Sequence, residues 1–155
     1  MGEYRGRLRG GGKGFALGGS RVNELVTERL AAGARACLVQ HGVGEEDVDT
    51  YWVPGAWELP PIVLRTARSG RYDGVVALGC VIRGETPHFD YVAGEAAKGI
   101  AAAALESEVP VAFGVRTTDT PDQALARAGG KAGNKGWEAA LGVLEMADLY
   151  KQLEA

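Results

Sequence analysis

Val75-Val76-Ala77-Leu78-Gly79-Cys80-Val81-Ile82-Arg83-Gly84-Glu85-Thr86-Pro87-His88-Phe89-Asp90-Tyr91 carries an apolar strand into a glycine turn and the turn into a helix start. An unbroken apolar strand fits the middle of a parallel sheet, where helices cover both faces and neither face needs polar residues. Thr86 is a capping residue type, and Pro87 suits the first helical position, where its missing N–H costs nothing. Backbone N–H groups of the turn and of the helix start then converge on one point, which favours an anion. His88 stands beside that point, and imidazole titrates near neutral pH without any perturbation. Phosphate binding and proton transfer could share this one segment.

Outward from this run the chain alternates strand and helix. Phe15-Ala16-Leu17 reads as a short strand and Ser20-Arg21-Val22-Asn23 as the turn after it. A helix is expected over 22–41, with Val22, Leu25, Val26, Leu30 and Ala34 at helical spacing and Gly42 and Gly44 as stops. Residues 48–53 form a second strand, and Pro54-Gly55 turns the chain. A helix over 57–68 points Leu59, Ile62, Val63 and Ala67 inward, with Pro60 and Pro61 confined to its first turn. Another helix covers 87–106. Val109-Pro110-Val111-Ala112-Phe113-Gly114-Val115 is a strand with proline near its start. Thr120-Pro121-Asp122-Gln123 is a capping box opening a helix that ends near Gly129-Gly130. A basic, glycine-rich hinge follows over 129–136. The last helix spans 137–152 on Trp137, Ala140, Leu141, Leu144 and Ala147.

This alternation predicts an α/β fold: a three-layer αβα sandwich around four parallel strands, in one domain over 1–155. Residues 3–8 alternate weakly ahead of a glycine-rich break. They read either as a strand added to the sheet edge of a neighbouring subunit or as a frayed end.

The 155 residues are 46% hydrophobic, enough for an ordinary core, and the net charge of −3 gives no footprint for non-specific nucleic-acid binding. No apolar run is long enough to span a membrane, and residues 1–7 lack the apolar stretch of a signal peptide. Cys37 and Cys80 stand alone, so a cytoplasmic chain with reduced thiols is expected. The two histidines and the carboxylates have no metal-ligand spacing, so no metal is implied. Neither GxGxxG nor a Walker A motif occurs. The run Gly129-Gly130-Lys131-Ala132-Gly133-Asn134-Lys135-Gly136 follows a helix rather than a strand, unlike a phosphate loop.

Ligands of open parallel sheets collect at the carboxyl ends of the strands. Ser20-Arg21-Val22-Asn23, Pro54-Gly55-Ala56-Trp57-Glu58, residues 81–88 and residues 113–118 all fall there. Their aromatics, carboxylates, backbone donors and histidine suit a flat polar heterocycle beside a phosphorylated partner.

Across nearly its whole length the sequence resembles the 6,7-dimethyl-8-ribityllumazine synthase family of riboflavin biosynthesis. The matching blocks are Val53-Pro54-Gly55-Ala56-Trp57-Glu58-Leu59-Pro60, residues 78–91, Phe113-Gly114-Val115, residues 123–136 and Glu145-Met146-Ala147. Residues 79–91 and 127–136 are the most specific of these. The resemblance implies a flavodoxin-like sandwich that condenses 5-amino-6-(D-ribitylamino)uracil with 3,4-dihydroxy-2-butanone 4-phosphate, releasing phosphate and water, with no cofactor and no required metal. It implies homo-pentamers, with active sites between adjacent subunits, packing on into a sixty-subunit shell; a free pentamer or a pentamer pair is the alternative.

By the same resemblance His88 transfers protons. Arg127, from the adjacent subunit, clamps and helps expel the phosphate, which Gly84, Glu85 and Thr86 also meet. Trp57 stacks on the pyrimidine, although from composition alone a tryptophan there reads first as core. Glu58 bonds the ribityl hydroxyls. Gly55, Ala56, Val81 and Ile82 line the uracil pocket, and Asn23 reaches the uracil beside Arg21. Phe113 and Lys135 close the pocket from the neighbour, with core packing the rival role for Phe113. Val22 is the main departure, since the family usually carries an aromatic there. A non-catalytic shell-forming or flavin-binding homologue is the rival class; Val22 favours it, and the retained His88, Arg127 and Glu58 oppose it.

Overall fold

The computed structural model describes residues 2–84, 89–130 and 133–154. Four parallel strands form the central sheet: β1 (Phe15–Ser20), β2 (Val48–Val53), β3 (Gly74–Ile82) and β4 (Val111–Thr118). Their order is β2-β1-β3-β4, the doubly wound arrangement in which the winding direction reverses between β1 and β3. The connecting helices are α1 (Glu24–Gln40), α2 (Leu59–Arg68) and α3 (Phe89–Ser107). After β4 come α4 (Pro121–Ala126), the short antiparallel pair β5 (Ala128–Gly130) and β6 (Gly133–Asn134), and α5 (Lys135–Glu154). The three-layer αβα sandwich follows, with α1 and α5 on one face and α2 and α3 on the other.

β3 explains why its sequence shows no alternation. Val76, Leu78, Cys80 and Ile82 pack towards α1 and α5, while Val75, Ala77 and Val81 pack towards α2 and α3. All nine of its residues are buried. Successive side chains point to opposite faces, and here both faces are core. The apolar strand is longer than Val75-Val76-Ala77-Leu78: it runs through Gly79 to Ile82, and the turn falls at Arg83-Gly84.

β1 also outruns its apolar residues. Gly18 and Gly19 stay in the ladder because β2 and β3 pair with them on both sides. A Cβ on Gly19 would lie 2.7 Å from the Trp52 ring, so the bare backbone lets that ring lie across the strand. β4 likewise extends to Thr118 because Val81 and Ile82 continue to pair with it.

α1 begins two residues later than its spacing predicts. Asn23 adopts the left-handed conformation (φ 58°, ψ 47°), which a helix cannot include. Val22 is therefore left outside the helix and exposed; Leu25, inside it, is also exposed, while Val26, Leu30 and Ala34 are buried as expected. α2 keeps Pro60 and Pro61 in its first turn and buries Leu59, Val63 and Ala67. Thr120 caps α4 as expected, accepting from Gln123 N–H at 3.2 Å. Gln123 answers through Asp119 N–H at 2.8 Å, one residue outside the expected box. α5 begins at Lys135 because Asn134 caps it, its Oδ1 accepting from Trp137 N–H at 3.0 Å, and Gly136 then meets α1 backbone to backbone, where a Cβ would lie 1.9 Å from the Leu30 carbonyl oxygen.

The expected amino-terminal strand would pair with a neighbouring subunit, and within a single chain it has no such edge to join. Residues 2–10 form no strand and lie along α5 instead. Asp148 of α5 accepts from Arg7 N–H at 2.7 Å and from Arg9 Nε at 3.1 Å, and Gln152 Nε2 donates to the Arg5 carbonyl at 2.6 Å. A simply frayed end is corrected by the same contacts. Among the described residues no helix is long and apolar enough to cross a membrane.

Candidate active site

The carboxyl ends of β1, β2 and β3 surround a cavity of about 230 Å³. Val22 and Asn23 come from the loop after β1, Gly55, Ala56 and Trp57 from the loop after β2, and Cys80, Val81 and Ile82 from the end of β3. Val92 closes it from α3. The position, at the reversal between β1 and β3, is where an open α/β sheet leaves room for a ligand.

Asn23 shapes this wall. Its left-handed backbone swings Val22 out of α1, and its Nδ2 donates to the Cys80 carbonyl at 3.1 Å. One short polar side chain thus ties the β1 loop to the end of β3. Val22 stands over Gly55: a Cβ on that glycine would be 3.5 Å from Val22 Cγ2.

Trp57 lies in a one-turn helix (Ala56–Glu58) ahead of α2 and is half exposed. Its indole stacks on Tyr91, with centroids 5.9 Å apart and planes 20° from parallel. The core role is therefore excluded for Trp57, and Tyr91 covers one of its faces. Trp57 also borders a second groove, of about 440 Å³, with Glu58, Pro60, Pro61, Glu95 and Gly99. Glu58 lines this groove, and its Oε1 also lies 3.3 Å from where a Cβ on Gly55, in the wall of the first cavity, would stand. The arrangement is an apolar slot and a carboxylate-lined groove sharing one aromatic wall.

Phe113, Arg127 and Lys135 line neither cavity within one chain. Phe113 sits in mid-strand opposite Ala77, half exposed on the edge of the sheet. Arg127 ends α4; its N–H and Nη1 both approach the Gln123 carbonyl, at 3.2 and 3.5 Å. Lys135 pairs with Glu138 at 3.0 Å, and its N–H donates to the Arg127 carbonyl at 2.9 Å. Glu85, Thr86 and His88 lie outside the described residues. Gly84 adopts φ 86° at the end of the β3 turn, a conformation that suits glycine.

Sequence reading missed Cys80, Tyr91 and Val92 at the site. Cys80 contributes its carbonyl, which no residue type announces. Tyr91 meets Trp57 from another helix, a pairing with no local signal. Among the described residues no group of three or more histidines, cysteines or carboxylates is placed to hold a metal ion.

Residues 13–151 match the family model described as 6,7-dimethyl-8-ribityllumazine synthase. The chain belongs to that family. Lumazine synthases are transferases of riboflavin biosynthesis, and the doubly wound sheet with a cavity at its reversal is consistent with membership.

Proposed function

We propose that the chain condenses 5-amino-6-(D-ribitylamino)uracil with 3,4-dihydroxy-2-butanone 4-phosphate to give 6,7-dimethyl-8-ribityllumazine, phosphate and water. The observation that carries this reading is the paired architecture around Trp57. A flat ring fits the slot between Val22, Asn23 and the end of β3, and a polyhydroxylated chain fits the groove that Glu58 and Glu95 line. Glu58 accepts from ribityl hydroxyls there.

The 5-amino nitrogen attacks the ketone carbon, and the carbinolamine loses water to give an imine. Removal of a proton beside the imine drives the C–O electron pair of the phosphate ester onto the leaving phosphate. The resulting enol tautomerises to a ketone, which the ribityl-bearing nitrogen attacks; a second water leaves as the ring closes. Each step needs a proton moved, and His88 is the group assigned to it. Arg127 of the adjacent subunit, with Gly84, Glu85 and Thr86, binds the phosphate and lowers the cost of its departure. Lys135 and Phe113 complete the site from the same neighbour, in a cytoplasmic homo-pentamer that packs into a sixty-subunit shell. The whole chain forms a single domain, and residues 3–8 reach the neighbouring sheet edge in that assembly.

The direct test supplies both substrates to the protein and follows lumazine fluorescence and released phosphate in equal amounts. Lumazine bound but never formed would support the non-catalytic reading instead. Particle mass by sedimentation tests the assembly.

Val22 leaves the slot without a second stacking face. An aromatic contact adds about 0.5–1.5 kcal/mol beyond burial, so Val22→Phe is expected to tighten pyrimidine binding about threefold to tenfold. Calorimetric titration with the pyrimidine measures this; unchanged affinity would mean that the Trp57–Tyr91 stack already supplies the contact.

A further inference from the structure

Arg83 was not singled out by its sequence position, yet its contacts radiate to two sides of the site. Its N–H donates to the Thr118 carbonyl at 2.8 Å, continuing the β3–β4 ladder past the last strand residue. Its Nε donates to Asp119 Oδ1 at 2.8 Å. Its Cζ lies 4.6 Å from the Phe89 ring centroid, and Nη2 is 3.7 Å from Asp90 Oδ1. Phe89 and Asp90 are the first two residues of α3. The next two are Tyr91, which stacks on Trp57, and Val92, which lines the cavity. Asp119 is tied through Gln123 to the first turn of α4, the helix that ends on Arg127.

We propose that Arg83 is a positioning residue that holds the start of α3 and the β4–α4 turn at fixed distances from the end of β3. Through α3 it sets the Tyr91–Trp57 wall, and through α4 it sets the direction in which Arg127 is presented. The assignment of these walls to pyrimidine and phosphate rests on the proposed function; the clamp itself does not.

Stability alone does not account for the clamp. The Arg83 side chain is 57% exposed and its carboxylate partners are more so. Ion pairs this open contribute little, so the fork acts through geometry. A planar guanidinium can face an aromatic ring while its edge holds a carboxylate, which an ammonium group cannot do in the same way. Lysine at this position therefore keeps the charge and loses the simultaneous contacts.

The experiment compares Arg83→Gln, Arg83→Lys, Phe89→Leu and Asp119→Asn in the assembled full chain. Arg83→Gln is expected to raise KM for both substrates about tenfold, because small displacements of positioned groups are costly. Its Tm is expected to move by less than about 4 °C, since the side chain and its carboxylate partners are exposed. Phe89→Leu is expected to raise KM for the pyrimidine alone and Asp119→Asn for the phosphorylated ketone alone, with Arg83→Lys rescuing neither. Without substrates, the near-ultraviolet dichroism of the Trp57–Tyr91 stack, assigned by difference from Trp57→Phe, is expected to weaken in Arg83→Gln and persist in Asp119→Asn. Unchanged KM values in Arg83→Gln, or losses that only follow a fall in Tm, overturn the proposal. If the wild type forms no lumazine, the functional reading fails and the substrate-free signal decides: a stack unaltered by Arg83→Gln then overturns the clamp.

Discussion

Arg127→Ala is expected to lower turnover about a hundredfold to a thousandfold while leaving the fold intact. The loss is of the size found when one preorganised donor to a developing anion is removed. Among the described residues the Arg127 side chain hydrogen-bonds only the Gln123 carbonyl, and that at 3.5 Å. Its other donors are uncommitted to any described residue, and the helix it ends is already capped by Thr120 at the opposite end. Removing it therefore takes little from stability. KM for the phosphorylated ketone should rise with the fall in kcat, and pyrimidine affinity should stay close to that of the wild type.

The stronger form of this prediction concerns which chain supplies the guanidinium. Neither cavity bounded by described residues includes Arg127 of the same chain, and the proposed function has it act on a neighbour's site. His88→Ala and Arg127→Ala proteins, each nearly inactive, are then expected to regain activity when unfolded together and reassembled. In an equal random mixture about a quarter of sites would pair an intact His88 with an intact neighbouring Arg127, because each site takes its two groups from adjacent copies around a ring. If both groups came from one chain, no site would be restored. Turnover of the mixture at the level of the separate variants would sink the shared-site mechanism.

What was legible in the sequence follows from what each residue type announces. Val75-Val76-Ala77-Leu78 declares a doubly covered strand, Pro60 and Pro61 declare a helix start, and Thr120 declares a cap. Each of these signals is local, and each held. β1 carried less information, because Gly18 and Gly19 are strand residues only by virtue of the neighbours on either side. The start of α1 was misplaced since apolar spacing says nothing of the left-handed turn at Asn23. Asn23, Gly55, Ala56, Trp57, Val81 and Ile82 line one cavity because they follow or end adjacent strands, which the alternation of strand and helix already implies. The hinge over 129–136 was only half legible: Ala128–Gly130 and Gly133–Asn134 pair as a small antiparallel ladder, which glycine content alone could not reveal. Tyr91 and Arg83 escaped notice because their work is done between helices, across distances that no sequence window spans.

Asp148→Asn is expected to destabilise the protein by about 3 kcal/mol at neutral pH, the scale for breaking a buried, hydrogen-bonded charge set. Asp148 is buried, and Lys13, similarly buried, has its Nζ 3.9 Å from the carboxylate. The Arg7 N–H, above all, holds the Asp148 carboxyl down at about 2, from 3.8; burial opposes this, and Gln152 and Arg9 add to it. The unfolded chain therefore binds the proton more readily than the native one. The carboxylate's contribution is complete above the unfolded value and is lost as the pH falls through the native one. The wild type should thus converge on Asp148→Asn between about pH 4 and pH 2, as denaturation at a series of pH values would record. A difference that stays constant over that window would mean that the carboxylate is not held as described. The same contact bears on assembly. While Arg7 N–H donates to Asp148 it cannot also donate to a strand of a neighbouring subunit. Addition of residues 3–8 to a neighbour's sheet would have to release this bond, and the carboxyl would then titrate closer to its ordinary value. A stability difference that shrinks as the protein assembles would mark that exchange, and one that is the same in isolated chains and in the assembly would place the segment on its own α5 in both.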